Sequence, residues 1–349
     1  MKHRPIVLWY LPVSDTGGVL RHALDVAAAG MARHELVVVV PSGAAASRLR
    51  AAGARVVVAP VGVKDGPLAA ARALHRLAGA LRPVIVHSHL AFADVVLAAT
   101  PLPRGTYRIT TEHGIAAQPD LYQSTALRQA LMPRVHAARM TRFDAAIAVS
   151  QATAHQMRRQ WRTRIPLHVL PNGVDPHPVH PTSGRRVLAL SRLSPEKRLD
   201  LLLDAFGELH RQDPRWTLTI GGEGELRTQL ESQADRLGLG ESVRFPGFID
   251  APPALMSHDV LVQLSEWENC SYSLLDAVAS GLGVVATAVG GNTEILPETS
   301  LTDGTPADVA RKIQEQALDV ARRPRLPEGW PTVATMVDRL ETIYEEIRS

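Results

Sequence analysis

One cysteine, Cys270, stands in 349 residues, which excludes an internal disulfide and any zinc-finger spacing of thiols. A chain so poor in thiols suits a reducing compartment, and a cytoplasmic location is expected. Aromatic residues make up only 4%. With no zinc pattern and no RNA-binding signature, no nucleic-acid partner is expected. No apolar run reaches the roughly 18 residues of a membrane span. The opening MKHRPIVLWYLPVSDTGG has basic residues and a short apolar run, but no A-x-A-like site before Gly17-Gly18. It reads as a first strand rather than a signal peptide. G-x-G-x-x-G is missing, which removes the warrant for a nicotinamide cofactor. No D-x-D is there to hold a catalytic metal.

What is there is length, apolar content and a divided charge. A hydrophobic share of 45% over 349 residues suits a globular chain of two domains. Residues 1–180 carry 21 Lys/Arg against 9 Asp/Glu, and residues 181–349 carry 17 against 26; the balances of +12 and −9 give the net +3. Halves so different suggest two domains with different partners. The densest basic run, Leu121 to Pro166, holds Arg128, Arg134, Arg139, Arg142, Arg158, Arg159, Arg162 and Arg164 against one acid, Asp144. It is either a solvated surface or a face for an anionic membrane or phosphate.

Short β-branched runs alternate with amphipathic helical stretches, as parallel βαβ units require. The strands of the first half are expected at Ile6–Val13, Leu36–Val40, Arg55–Ala59, Val84–His87, Tyr107–Thr111, Ala145–Val149 and Leu167–Leu170. The Pro-rich PHPVHPTSG at 176–184 reads as a linker. The alternation resumes at Arg186–Leu190, Thr217–Ile220, Ser242–Phe245, Val260–Leu264 and Val284–Thr287. The expected fold is α/β with two doubly wound domains: residues 1–175, the linker 176–184, residues 185–330, and a terminal helix over 331–349. In such sheets ligands bind beyond the carboxyl ends of the strands.

Five strand-end segments therefore matter. Ser14 to His22 holds Gly17-Gly18 before a helix, suited to an anion or merely to a tight turn. Leu190 to Arg198 holds Arg192 and Lys197, which can grip a diphosphate, while Ser194 and Pro195 suit a helix start. Ile220 to Leu226 has a glycine turn followed by Glu223 and Glu225, with a structural role as the default. His87 and His89 share a strand face without an evident third metal ligand, and His113 precedes Gly114; a satisfied buried histidine is the alternative reading. Last, SEWENCSYSLLDA places Glu268 in a loop and Asp276 in a helix that Ser271 or Ser273 caps. A helix start lowers a carboxyl pKa, so these acids suit hydroxyl acceptors better than proton donors.

The ordered set of Gly17-Gly18, HSH, TEHG, AIAVS, LPNGVD, SRLSPEKRLD, GGEGEL, VRFPGFID, SEWENCSYSLLDAVASGLGVVAT and VGGNTEI resembles a family 4 glycosyltransferase over nearly the whole chain. The resemblance implies the GT-B fold: two Rossmann-like domains facing each other across a cleft, with the terminal helix crossing back onto the first. It implies a retaining transferase that takes a UDP- or GDP-sugar to a glycan or lipid-linked acceptor, with no cofactor and no essential metal. Arg192 and Lys197 match the pair that holds the donor diphosphate, which the turn at Gly17 and Gly18 also approaches. Glu268 matches the first acid of the E-x7-E motif, facing the sugar, and Asp276 the second, facing the ribose. The amides at Ser271, Tyr272 and Ser273 match a phosphate-meeting helix start, Ile249 a residue near the base, and His113 a histidine at the sugar end. Catalysis would then rest on His113, Glu268, Arg192 and Lys197. The Arg-rich 128–164 region would contact an anionic membrane at its inner face. Ser191 replaces the family's usual glycine, Asp276 its second Glu, and ENCSYS its commoner EGFG. A non-catalytic GT-B binding protein and a sugar-nucleotide epimerase are the alternatives.

Overall fold

The computed structural model describes residues 4–15, 17–114, 126–177 and 183–349, with the side chains of 126–131 and 133 left aside. The chain divides into two compact units, Met1–Gly173 with Pro331–Ser349, and Val174–Trp330. The first unit runs β1 (Ile6–Tyr10), α1 (Gly18–Ala29), β2 (Glu35–Val40), α2 (Ala44–Ala51), β3 (Arg55–Val58), α3 (Pro67–Leu81), β4 (Ile85–His89), α4 (Ala91–Ala99), β5 (Tyr107–Glu112), α5 (Ala126–Met140), β6 (Ala145–Ala148), α6 (Gln151–Trp161) and β7 (Leu167–Val169). The second runs β8 (Arg186–Leu190), α7 (Leu199–Gln212), β9 (Thr217–Gly221), α8 (Arg227–Arg236), β10 (Val243–Gly247), α9 (Ala251–Met256), β11 (Val260–Gln263), α10 (Tyr272–Ala279), β12 (Gly283–Thr287), α11 (Asn292–Ile295), β13 (Leu301–Thr302) and α12 (Pro306–Leu318). The final helix, α13 (Val333–Arg348), belongs to the first unit.

Among the described residues the sheets have the orders β3-β2-β1-β4-β5-β6-β7 and β10-β9-β8-β11-β12-β13. The pairings are parallel throughout. Both sheets are therefore doubly wound, as the alternating pattern predicts. A parallel sheet is covered on both faces, so each strand is apolar end to end. The period of two then sorts the side chains of β1 and β2. Val7, Trp9, Val38 and Val40 pack with α1, α2 and α13. Leu8, Tyr10, Val37 and Val39 pack with α3 and α4. In the second unit Val187, Leu218, Val260 and Val285 join Phe206 of α7 and Ile313 of α12 in one core.

Strand ends differ from the sequence reading by a few residues. β1 stops at Tyr10, because Pro12 has no amide proton for a ladder. β13 spans two residues, too few to show a pattern. The terminal helix is held by polar bonds as well as by its apolar stripe. Glu341 accepts the amides of Ala32, Arg33 and His34. The Tyr344 hydroxyl lies 2.9 Å from Trp9 Nε1 and 2.6 Å from His87 Nδ1. No helix among the described residues is long and apolar enough to cross a membrane.

Candidate functional site: two groups of strand-end loops

In the second unit, four loops interlock at the carboxyl ends of β8, β9, β11 and β12. Lys197 Nζ donates to Glu268 Oε1 at 2.5 Å, and the same oxygen accepts from Gln263 Nε2 at 2.7 Å and Ser265 Oγ at 2.8 Å. All three donors converge on Oε1; Oε2 receives none among the described residues. The two side chains are only 14% and 13% exposed, so their attraction is little screened. Lys197 Nζ also lies 5.9 Å from the centre of the Trp267 ring.

Arg192 reaches the same place through a residue the sequence reading passed over. Its Nη2 donates to Glu196 Oε1 at 2.9 Å, and Ser194 Oγ donates to that oxygen at 2.8 Å. Burial pushes the Glu196 carboxyl up, but the Ser194 and backbone bonds, with Arg192 and Lys197 nearby, outweigh it and hold the pKa below the usual carboxylate range. An ionised Glu196 thus holds Arg192, with Lys197 nearby. The i, i+4 spacing of Arg192 and Glu196 was the available signal.

Ser194 was expected to cap a helix, yet its hydroxyl is spent on Glu196 and makes no cap bond. Residues Pro195–Lys197 form one 3-10 turn, and α7 starts at Leu199. Between them Arg198 takes φ 48°, a conformation that costs a non-glycine residue about 1 kcal/mol. That kink ends the turn at Lys197.

The glycines of GGEGEL and VGGNTEI act through the backbone. A Cβ on Gly222, whose φ is +149°, would sit 1.8 Å from the Ser191 carbonyl oxygen. A Cβ on Gly290, at φ +49°, would sit 1.8 Å from that of Glu268. The GGEG turn is thus pressed against the arginine loop, where Leu193 donates its amide to Glu223 at 2.9 Å. Glu223 and Glu225 are exposed and precede α8, which starts at Arg227. Ile249 packs on Gly221, where a Cβ would come within 2.5 Å of its Cδ1.

Ser271, not Ser273, caps α10, accepting the Leu274 amide at 3.4 Å. Tyr272 and Ser273 follow in the first turn, both partly buried. Asp276 is buried one turn further on, with His177 Nε2 at 3.4 Å from its Oδ1. His177 escaped the sequence reading because it lies in the Pro-rich linker, 99 positions from its partner.

In the first unit the Gly17-Gly18 turn opens α1, and that helix brings His22 against His113 with ring centres 5.0 Å apart. His89 Nδ1 and His113 Nε2 share a hydrogen bond of 2.9 Å. Burial drives the pKa of His22 down to about 4, opposed by a hydrogen bond with Asn172. It also takes His87, His89 and His113 well below the usual range, with neighbouring histidines adding to the fall. These rings are neutral at pH 7.

The ring atoms of His22, His89 and His113 lie within 4.8 Å of one another and could ligate a metal. His87, which the sequence paired with His89, is not part of that group; its two nitrogens bond Tyr344 and Thr111. The bond between His89 and His113 accounts for their closeness without an ion.

The Arg-rich region also differs from expectation. Arg134, Arg142, Arg158, Arg159, Arg162 and Arg164 face solvent, and the side chain of Arg128 lies outside the described residues. Arg139 instead is 4% exposed, 3.1 Å from Asp94 and 3.3 Å from Glu112. Its guanidinium also lies 4.8 Å from the Trp161 ring centre. The reason is charge: Asp94 in the first turn of α4 and Glu112 at the end of β5 are both buried and need a cation. Burial raises both pKa values, Glu112 to about 7, while Arg139 opposes the rise. Glu112 also accepts the Gly114 amide at 3.1 Å, fixing the chain on both sides of His113.

With this geometry in place, the likenesses to known proteins become informative. The model for Glycosyltransferase Family 4 matches residues 16–177, and that for Glycosyl transferases group 1 matches 176–326. A phosphatidylinositol N-acetylglucosaminyltransferase subunit of Homo sapiens is 30% identical over 220 residues, 61% of this chain and 39% of that protein. The lipopolysaccharide core biosynthesis mannosyltransferase LpsB of Rhizobium meliloti is 26% identical over 231 residues, covering 60% of this chain and 64% of its own. The chain thus spans less than two thirds of either relative's length. Among solved structures, Anabaena HepE in complex with UDP and glucose superposes with a TM-score of 0.81, at 21% identity, covering 98% of this chain and 100% of its own. Two adjoining family models and the shared architecture agree: the chain belongs to the family 4 glycosyltransferases, of the GT-B fold.

Proposed function

We propose that the chain transfers a sugar, with retention and without a metal, from a UDP-linked donor to a glycan or lipid-linked acceptor. The observation that carries this reading is the Lys197–Glu268 pair beside the start of α10. A departing diphosphate needs positive charge already in place in a partly dry site. Lys197, Arg192 and the helix start behind Ser271 supply it, with Glu196 orienting Arg192 and Glu268 orienting Lys197. The open Oε2 of Glu268 suits a sugar hydroxyl, and Asp276 suits the ribose. His113, kept neutral by burial, serves as a hydrogen-bonding partner of the sugar rather than as a cation.

UDP is favoured over GDP by the UDP and glucose held in HepE. A lipid-linked acceptor is supported by the name of the human relative, and a glycan by that of the Rhizobium one. We infer a cytoplasmic position at the inner membrane face, where the single cysteine suits reducing conditions.

A panel of UDP-, GDP- and ADP-sugars, with and without lipid acceptors, tests the reading through nucleotide release. UDP-sugar should give acceptor-dependent release, and Lys197→Ala or Glu268→Gln should cut it at least tenfold, about 1.4 kcal/mol. Nucleotide binding with no transfer in any combination would leave a binding protein. Donor interconversion without acceptor would leave an epimerase.

A further inference from the structure

We propose that the first unit docks on an anionic lipid bilayer through its β3 edge, not through the Arg-rich region beside β7. The starting observation is exposure. Val63 is 64% exposed, Leu68 71% and Val58 45%, all within eleven positions of sequence at the end of β3 and the start of α3. An aqueous surface has no use for three large apolar side chains so close together. Between β3 and α3 lies a shallow, mostly apolar depression of about 370 Å³.

The second observation is charge. Residues 41–93 hold seven Lys/Arg, all exposed, and one acid, Asp65. Asp65 is occupied by the turn, accepting the Gly62 amide at 2.8 Å. Lys64 follows Val63, Arg72 and Arg76 line the depression, and none of the three has an ion-pair partner among the described residues. Leu68, Arg72 and Arg76 follow the four-residue spacing of one helix face. Apolar side chains beside unneutralised cations match a bilayer surface, where tails take the first and anionic headgroups the second.

The β7 edge offers only half of that. Arg158, Arg159, Arg162 and Arg164 are exposed, but no large apolar side chain projects there among the described residues. The two edges lie at opposite ends of the sheet order. Because the strands are parallel, the end of β3 shares a rim with the Gly17 turn after β1 and with His113 after β5. At about 4.8 Å per strand, those are roughly 10 and 20 Å away. A bilayer at this edge would bring a lipid-borne acceptor to the rim, which links the docking to the transfer proposed above without depending on it.

Vesicle sedimentation with the full chain tests the docking. Vesicles of phosphatidylglycerol and phosphatidylcholine should carry the protein down, those of phosphatidylcholine alone far less, and rising salt should release it. Val63→Asp with Leu68→Asp should weaken binding at least tenfold, with UDP release to a soluble acceptor and the melting temperature retained. The triple change Lys64→Glu, Arg72→Glu, Arg76→Glu should abolish the preference for phosphatidylglycerol. Arg158→Glu with Arg159→Glu should leave binding within twofold. The proposal is overturned if the wild type ignores anionic vesicles, if the Val63/Leu68 pair binds as the wild type does, or if the β7 pair proves to be the one that loses binding. Loss of transfer with vesicle binding intact would count against the function instead.

Discussion

The two units have the same winding but build their strand ends from opposite materials. In the first, the rim consists of neutral rings, the buried His22, His87 and His89 and the partly buried His113, next to a sealed cluster of Asp94, Glu112 and Arg139. In the second, cations stand at the rim. Lys197 and Arg192 are each held by one carboxylate, and glycines let the loops press together. The difference fits the proposed function. Lys197 and Arg192 can exchange their carboxylates for an anion, whereas Arg139 cannot leave its cluster without stranding two buried acids. A buried ion cluster is a fixed point, and a half-buried ion pair is a receptor.

The sharpest way to break this comparison is at Arg139. Arg139→Met keeps much of the aliphatic stem but removes the guanidinium by Trp161 and leaves Asp94 and Glu112 buried without their cation. Removing one partner of a buried ion pair costs about 3–5 kcal/mol. Hydrogen exchange should therefore speed up strongly at β4 and β5, while the amides of β8 and β11 keep their protection. Glu112→Gln should be much milder, because it removes a charge rather than uncovering one. Equal protection of both sheets in Arg139→Met would show that the cluster is no fixed point.

A smaller effect separates the units by pH. A buried histidine with a lowered pKa costs nothing while the unfolded chain is also neutral, above about pH 6.5. Below that, the unfolded chain takes up protons that the native state refuses, and stability falls by up to about 1.4 kcal/mol per pH unit and group. For His22 the fall ends near pH 4. His87, His89, His113 and His136 act in the same direction. Glu112 and Asp94 oppose them, since acids with raised pKa values are relieved by protonation; Glu112 is relieved from about pH 7 downward. Five histidines against two acids leave a net loss. In the second unit His258 alone is lowered among the described histidines, and the carboxylates held low there, Glu196, Asp213 and Asp308, matter only in stronger acid. Between pH 6.5 and 4, protection should fall in the first sheet and stay nearly level in the second. Parallel loss in both would dismiss the histidine cluster as its cause.

Much of this contrast was readable before any coordinates. Arg192, Lys197, Glu268 and Asp276 stand in order after strand-like runs, and apolar alternation is enough to place those loops at one rim. What escaped is what depends on distant partners. Arg139 looked like surface because composition sees seven arginines around it and not Asp94, 45 positions earlier. Gly222 looked like a turn residue and Gly290 only like part of a motif, and only the fold reveals the carbonyls that leave them no room for a Cβ. Glu196 drew no reading from the sequence. Its role follows from the fold, which bonds its carboxylate to Arg192 and leaves Lys197 nearby.

The smallest effect sharpens the one ambiguous member of the second group. Asp276 is one methylene shorter than the Glu the family resemblance leads one to expect, so its reach to a ribose needs explaining. His177 sits on its Oδ1 at 3.4 Å and is 34% exposed, a long contact in partial solvent. Such a pair contributes at most about 1 kcal/mol. If Asp276 receives the ribose with its own carboxylate, His177→Ala should raise the KM for the donor about twofold and leave kcat alone, while Asp276→Ala raises it tenfold or more. Should His177→Ala match Asp276→Ala, the imidazole would be the group that completes the missing reach. The acid would then be its support, and the linker, not the helix, would carry the ribose contact.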